Sequence, residues 1–272
     1  MSASVVGSTN DSRPTYVFSV NPGRSGSEYL SALLSSVSGT LASHEARPKM
    51  SGPILESAMK EGLQRTRSQR LVKIAEIRRL LAESGASTYV ETNHMFAKTF
   101  FDIALEELPP APVAVVILRR PWAKVMRSFL SLGYFTDHNP VWIDWMRVPR
   151  IDGPAEDSVH PENPMDAVAE YLLKLEQRSQ DIQNWYPGIR YVDCSLETLQ
   201  SQEGVKALFD RLGLDGEAHG DLESLIGTPV NKRLKKKRHL QMPVPSEQQC
   251  KAFLEDFLHV RTGTIPLDKI AL

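Results

Sequence analysis

Cysteine is nearly absent from this chain of 272 residues, which contains only Cys194 and Cys250. Two thiols cannot build a disulfide framework and lack the spacing of a zinc site, so a reducing, cytoplasmic compartment is expected and both read as small core residues. Long hydrophobic runs are missing too. The longest, Ala111 to Leu118, is broken by Pro112 and falls far short of the roughly 20 residues of a spanning helix, so no membrane partner is expected. A charge of one sign is also lacking: 32 Lys and Arg stand against 33 Asp and Glu, a net -1. That balance argues against a protein that coats nucleic acid or anionic membrane with its whole surface. Residues 1–14 are polar, with no apolar stretch of the kind a secretion signal needs, and are read as a disordered leader. With 41% hydrophobic residues and no repeat or linker, residues 15–272 are expected to form one globular domain.

What is present is an alternation of strand and helix patterns. β-Favouring runs at Tyr16 to Val20, Thr40 to Ser43, Thr88 to Glu91, Val113 to Arg119 and Arg190 to Asp193 predict strands. Between them, apolar residues at helical spacing predict helices. One starts at Ser27, which is placed to cap it and buries Tyr29, Leu30, Leu33, Leu34 and Val37. A second runs from Ile54 to Ala82, interrupted near Gly62, with a basic face expected outside. Further helices are expected at Lys98 to Glu106, from Pro121, from Met165 to about Trp185, and from Glu203 to Leu212, ended by Gly213. This order predicts a three-layer α/β fold around a central, mainly parallel sheet, with continuous β-branched strands covered on both faces.

The first strand runs into Asn21-Pro22-Gly23-Arg24-Ser25-Gly26-Ser27. A tight loop with two glycines and two small hydroxyls before a helix points backbone N–H groups at an anion, and Arg24 adds a forked cation. The nucleotide-hydrolase pattern G-x-x-x-x-G-K-[ST] does not fit, because no Lys follows Gly26, and G-x-G-x-x-G does not fit either. By itself the loop is equally compatible with a plain strand-to-helix turn that needs glycine.

Pro22-Gly23-Arg24-Ser25-Gly26-Ser27 resembles the 5′-phosphosulfate loop of the sulfotransferases that use 3′-phosphoadenosine-5′-phosphosulfate (PAPS) and release 3′,5′-adenosine bisphosphate (PAP). Val115-Val116-Ile117-Leu118-Arg119-Arg120-Pro121 followed by Ser128 resembles the strand, Arg and Ser that hold the 3′-phosphate in that family. The family spacing of eight joins Ser128 to Arg120, while Arg119 ends the strand, so both arginines are retained as candidates. A third likeness covers Tyr191 to Leu214, where Leu196 stands in place of the family's Tyr; another departure is Glu28, where a second hydroxyl is common. The resemblance implies a phosphosulfate site at Arg24, Ser25, Gly26 and Ser27, and a 3′-phosphate site drawing on Arg119, Arg120 and Ser128. It also implies a basic residue from a closing loop, for which Lys232 and Arg233 are the candidates.

Sulfuryl transfer needs in-line placement, cations at the leaving phosphate and a base at the acceptor. No metal-site spacing of carboxylates is visible, and no metal is expected. Ser43-His44-Glu45-Ala46-Arg47-Pro48 follows the second strand and so reaches the carboxyl end of the sheet near the first loop. The family resemblance implies a Glu base there: Glu45 is the first candidate and His44 the second, with Arg24 as catalytic cation. Glu91 and His94, after the third strand, and Phe135, Trp142 and Trp145, in the loop-rich stretch from Gly133 to Pro164, are candidates for holding the acceptor. The expected acceptor is a hydroxyl, or an amine, of a small molecule or carbohydrate. Two rivals stay open: a P-loop nucleotide-dependent kinase, and a non-enzymatic nucleic-acid binder using the tract Lys232 to Arg238, part of a run with six cations in nine residues.

Overall fold

The computed structural model of the chain describes residues 13–136, 140–155, 163–214, 222–227 and 243–261. Five strands form one sheet: β1 Tyr16–Val20, β2 Thr40–His44, β3 Thr88–Thr92, β4 Val113–Arg119 and β5 Arg190–Ser195. Their order is β2-β3-β1-β4-β5, and every pairing is parallel. The register sets Tyr16 beside Tyr89 and Val113, and Val20 beside Ile117. The three-layer architecture around a parallel sheet is therefore as expected.

Both faces of the sheet are buried, and the strands show how. Val17 on β1, and Ala114, Val116 and Leu118 on β4, face one layer with Leu30, Leu33 and Leu34 of α1 (Ser27–Ser35) and Val205, Leu208 and Leu212 of α7 (Gln202–Leu212). Tyr16, Phe18 and Val20, with Val113 and Val115, face the other. That layer contains α2 (Pro53–Glu61), α3 (Arg67–Ser84), α4 (Phe101–Glu107), α5 (Trp122–Leu130), α6 (Pro164–Trp185) and α9 (Glu247–Arg261). A short α8 spans Leu222–Leu225. Successive side chains of a strand point to opposite faces, so two apolar layers require an unbroken apolar run.

Several local expectations are corrected. The interruption expected near Gly62 is present and divides Ile54 to Ala82 between two helices: Gly62 takes φ 87°, and a Cβ there would lie 2.7 Å from the Gly153 backbone N, so the chain turns where another backbone crosses closely. Helix α3 does not carry its cations only outside. Arg70 and Lys73 are fully buried, Arg70 bonded to Asp102 at 2.6 and 2.7 Å and Lys73 to Glu91 at 2.8 Å. The helix expected from Lys98 begins as a π-helical turn, Phe96–Phe100, in which the Phe101 N–H bonds to the Phe96 carbonyl five residues back. Ser27 is the first helical residue of α1; the N-cap is Gly26, and no side chain caps it. Pro121 is likewise the N-cap of α5. Residues 1–12 of the expected leader lie outside the described residues, whereas Arg13 belongs to the fold: its guanidinium donates to Thr88 Oγ1, the Ser38 carbonyl and Thr40 Oγ1. Among the described residues no helix is long and apolar enough to cross a membrane.

Candidate functional site

Strand β1 lies between β3 and β4, where connections on its two sides run in opposite directions along the sheet, and the loop after it opens at this switch point. The loop owes its shape to Gly23 (φ 81°), Arg24 (φ 56°) and Gly26 (φ 90°). Left-handed backbone at a non-glycine residue is uncommon, and here local bonds enforce it. Asn21 accepts from the Gly23 N–H at 3.0 Å and donates to Ser19 Oγ at 3.0 Å, and buried Ser25 donates to the Gly23 carbonyl at 3.1 Å. The N-termini of α6 and α7 are capped by Asn163 and Ser201, while α1 has no side-chain cap. No side chain therefore caps the first N–H groups of α1 where they follow the loop, and helix N-terminal N–H groups favour an anion.

Arg24, Arg120 and Ser128, drawn from separate parts of the sequence, meet at this loop. Arg24 Nε donates to Ser128 Oγ at 3.0 Å, and an Arg120 terminal N–H donates to the Arg24 carbonyl at 2.6 Å. Arg120, Ser128, Lys124 and Arg127 line an open cleft of about 490 Å³ with Leu196, Glu197 and Glu247. Burial lowers the Arg120 pKa, opposed by Glu197 and Glu247, and among the described residues its buried Nε has no hydrogen-bond partner. Arg119 turns the other way, into Glu176 at 3.0 Å and Asp193 at 2.8 Å. The structure thus groups Arg120 with Ser128 and gives Arg119 to an ion-pair cluster beneath the strand end. Leu196 packs directly on the loop: a Cβ built on Gly26 would fall 2.5 Å from its Cδ1.

On the opposite side of the loop stand the residues after β2 and β3. Glu45 has φ 52° and its amide bonds to the Thr92 carbonyl, so β2 ends by turning this side chain across the end of β3. Glu45 Oε1 lies 3.4 Å from His94 Nε2 and 3.7 Å from His44 Nε2. His44 is held by its Nδ1, 2.8 Å from the Thr92 carbonyl. His94 is buried against the loop: a Cβ on Gly23 would sit 3.7 Å from its ring. Trp145 stacks on His94 with centroids 5.5 Å apart, and Lys49 lies over Trp145 at 5.0 Å. Burial, then Lys98, His44 and Lys49, holds the His94 pKa well below the ordinary histidine value.

The other acceptor candidates are placed elsewhere. Glu91 is fully buried, with its oxygens engaged by Lys73 at 2.8 Å, Tyr89 Oη at 2.7 Å and Asn93 Nδ2 at 2.8 Å. These bonds make it part of the interior, and a buried unpaired Lys73 explains the need for it. Phe135 and Trp142 stack on each other with centroids 5.4 Å apart, and Phe135 also packs against Phe129 and Tyr171, so both fill the core beneath their loop. Of the aromatic candidates, Trp145 is the one beside His94. Lys232, Arg233 and the tract to Arg238 lie outside the described residues. Among the described residues no group of three His, Cys, Asp or Glu side chains could hold a metal.

With this geometry in view, the chain resembles two solved structures. One is the sulfotransferase domain of the olefin synthase of Synechococcus PCC 7002, at 14% identity and TM-score 0.49, covering 94% of this chain and 97% of that one. The other is the sulfotransferase domain of the curacin biosynthetic pathway, at 20% identity and TM-score 0.49, covering 90% and 99%. Both are sulfotransferase domains. No family model and no curated protein matches the chain.

Sequence reasoning missed Lys98, Lys124, Arg127 and Tyr171. Lys98 follows His94 by four residues, from the turn after β3 into the π-helical turn, and that proximity was visible in the sequence. Lys124 and Arg127, on α5, follow Arg120 at intervals of four and three, which was equally visible. Tyr171, from α6, had no local signal at all.

Proposed function

We propose that this protein is a PAPS-dependent sulfotransferase that moves the sulfuryl group to a hydroxyl of a small-molecule or carbohydrate acceptor. The observation that carries the reading is the joining of Arg24, Arg120 and Ser128 at an uncapped, left-handed loop, with the Glu45 and His94 pair on the loop's other side. The residues suit a donor with phosphates at both ends of adenosine. The loop N–H groups and Arg24 would hold the phosphosulfate, and Arg120, Lys124, Arg127 and Ser128 the 3′-phosphate. Among the described residues the buried Nε of Arg120 has no hydrogen-bond partner, which supports an anion-binding role for this side chain.

When bound, the donor supplies an activated sulfur whose bond to the 5′-phosphate oxygen breaks as the acceptor oxygen attacks. The loop and Arg24 stabilise charge developing on the leaving phosphate, and their positions are fixed before reaction, so little reorganisation is needed. Glu45 and His94 take the acceptor proton; proton transfer to a placed base is worth about a hundredfold to ten-thousandfold in rate. Lys49 and Trp145 border that side of the loop and would contact the acceptor.

The test is calorimetric titration with PAP, with ATP and ATP plus magnesium as controls. PAP should bind without metal. Arg120→Met should weaken PAP about tenfold to a hundredfold, the range for a hydrogen bond to a charged group, while Arg119→Met should leave affinity nearly intact. Binding of ATP with magnesium but not PAP would overturn the reading in favour of a kinase. Glu45→Gln, assayed for transfer of labelled sulfate from PAPS across an acceptor panel, should keep PAP affinity and lose turnover about a hundredfold.

A further inference from the structure

Lys98 is wholly buried, and among the described residues no carboxylate lies within ion-pairing distance of its Nζ. Lys73, the other fully buried lysine with a polar role, has Glu91 at 2.8 Å. The Lys98 amine instead meets three neutral groups: the Trp145 carbonyl, Tyr171 Oη at 3.2 Å and His94 Nδ1 at 2.9 Å. The Tyr171 proton is already committed to the Pro22 carbonyl at 2.7 Å, so Tyr171 can only accept from Lys98. Two N–H bonds of Lys98 thus go to oxygens, and the third position points at His94.

An ammonium would fill that position with a third N–H; a neutral amine fills it with its lone pair and accepts a proton from His94 Nδ1. A buried ammonium without a counter-ion is strongly disfavoured. Burial holds Lys98 well below the ordinary lysine value, with Glu45 the only opposing charge, and holds His94 low as well. The ionisable groups around the pair are Glu45 and His44 at the end of β2, Lys49 beyond them and Tyr171 from α6. Tyr171 is itself pushed well above its ordinary value by burial and stays protonated.

We infer that Lys98 is a positioning residue: a neutral buried amine that holds His94 in the Nδ1–H tautomer and leaves its Nε2 lone pair facing Glu45. This inference rests on the sulfotransferase reading for its meaning in catalysis. An unprotonated Nε2 and the Glu45 Oε1, 3.4 Å apart, have room for one proton between them. As the acceptor oxygen bonds to sulfur, its O–H bond breaks and that proton passes to the Nε2 and Oε1 pair, while the leaving phosphate oxygen keeps the electrons of the broken S–O bond. The same amine reaches the anion loop through Tyr171 and Pro22. Lys98 sits inside the π-helical turn Phe96–Phe100, an irregularity frequent at functional sites.

Nitrogen-15 NMR of histidine-labelled protein tests this directly, with the His94 signals assigned through His94→Gln. Near neutral pH, wild-type His94 should show a protonated Nδ1 and a bare Nε2. An Nε2–H tautomer or an imidazolium would overturn the inference. In Lys98→Met the tautomer should switch to Nε2–H, which can then donate to Glu45, while PAP affinity stays within about threefold because no phosphate contact is removed. An Nδ1–H tautomer that survives Lys98→Met would equally overturn it. If that variant does not fold, the wild-type spectrum still decides the tautomer. Failure of wild type to bind PAP would remove the sulfotransferase reading while leaving the tautomer result to stand by itself.

Discussion

Glu91→Gln separates a structural carboxylate from a substrate ligand. The substitution keeps size and shape and removes one charge from a site where both Glu91 and Lys73 are fully buried, 2.8 Å apart. Breaking a buried pair by removing one partner costs about 3–5 kcal/mol. Burial lowers the Lys73 pKa and Glu91 is the first group opposing it, so without that carboxylate Lys73 is driven toward its neutral form. At about 2.1 cal/mol/K per residue, 272 residues give an unfolding entropy near 0.57 kcal/mol/K, so the loss should lower Tm by about 5–9 °C.

Calorimetry across pH then gives a signature. In the folded variant Lys73 is neutral, whereas unfolded Lys73 binds a proton up to its ordinary value of 10.5. The unfolded state therefore holds more protons, and the lost stability should return as pH rises toward that value, at about 1.4 kcal/mol per pH unit. Lys73→Met combined with Glu91→Gln should recover most of the loss, because no charge is left stranded. A Glu91→Gln protein that melts like wild type, or that keeps its Tm but loses acceptor binding, would refute the structural assignment.

Gly26→Ala should destabilise by about 1–2 kcal/mol in urea unfolding and weaken PAP binding, because φ 90° is strained for any side chain. Leu196→Ala in the same protein should not restore stability, since it clears the 2.5 Å contact and leaves the backbone strain. His94 is held well below the ordinary 6.5, so the unfolded state takes up its proton first on acidification. Wild-type stability should fall by up to about 1.4 kcal/mol per pH unit below about 6.5, and His94→Gln should remove that part of the slope in urea titrations at several pH values.

How much of this was legible depended on distance along the chain. The three central strands were readable because apolar, β-rich runs covered on both faces leave little polar alternation to confuse them, and Val113 to Arg119 matches its observed span in full; the edge strands β2 and β5 are only partly buried. The anion loop was readable because glycine spacing is local. Arg70 and Lys73 misled because a charged residue normally marks a solvent face; their positions fit the stripe of Ile74 and Ile77 on α3, and only Asp102 and Glu91, from elsewhere in the chain, explain why they go inside. Trp142 and Phe135 misled in the opposite sense. An aromatic in a long loop can serve a ligand or its own loop, and only the stacking with Phe129 and Tyr171 decides.

The near-zero net charge conceals a division among cations that also bears on the site. Arg70, Lys73 and Arg119 are each matched by buried or half-buried carboxylates. Among the described residues Arg120 has a backbone carbonyl for one N–H and no partner for its buried Nε. Lys124 holds Glu197 at 3.1 Å on the cleft wall, a contact exposed enough to be worth little and easily exchanged for a phosphate. Adjacent in sequence and identical in type, Arg119 and Arg120 thus differ in what they can offer. An anion competing for Arg119 must displace two carboxylates, while Arg120, on the cleft wall, has no carboxylate to give up among the described residues. If that distinction governs recognition, PAP affinity should respond to Arg120→Met and barely to Arg119→Met, whose loss should instead surface as reduced stability from a stranded Glu176.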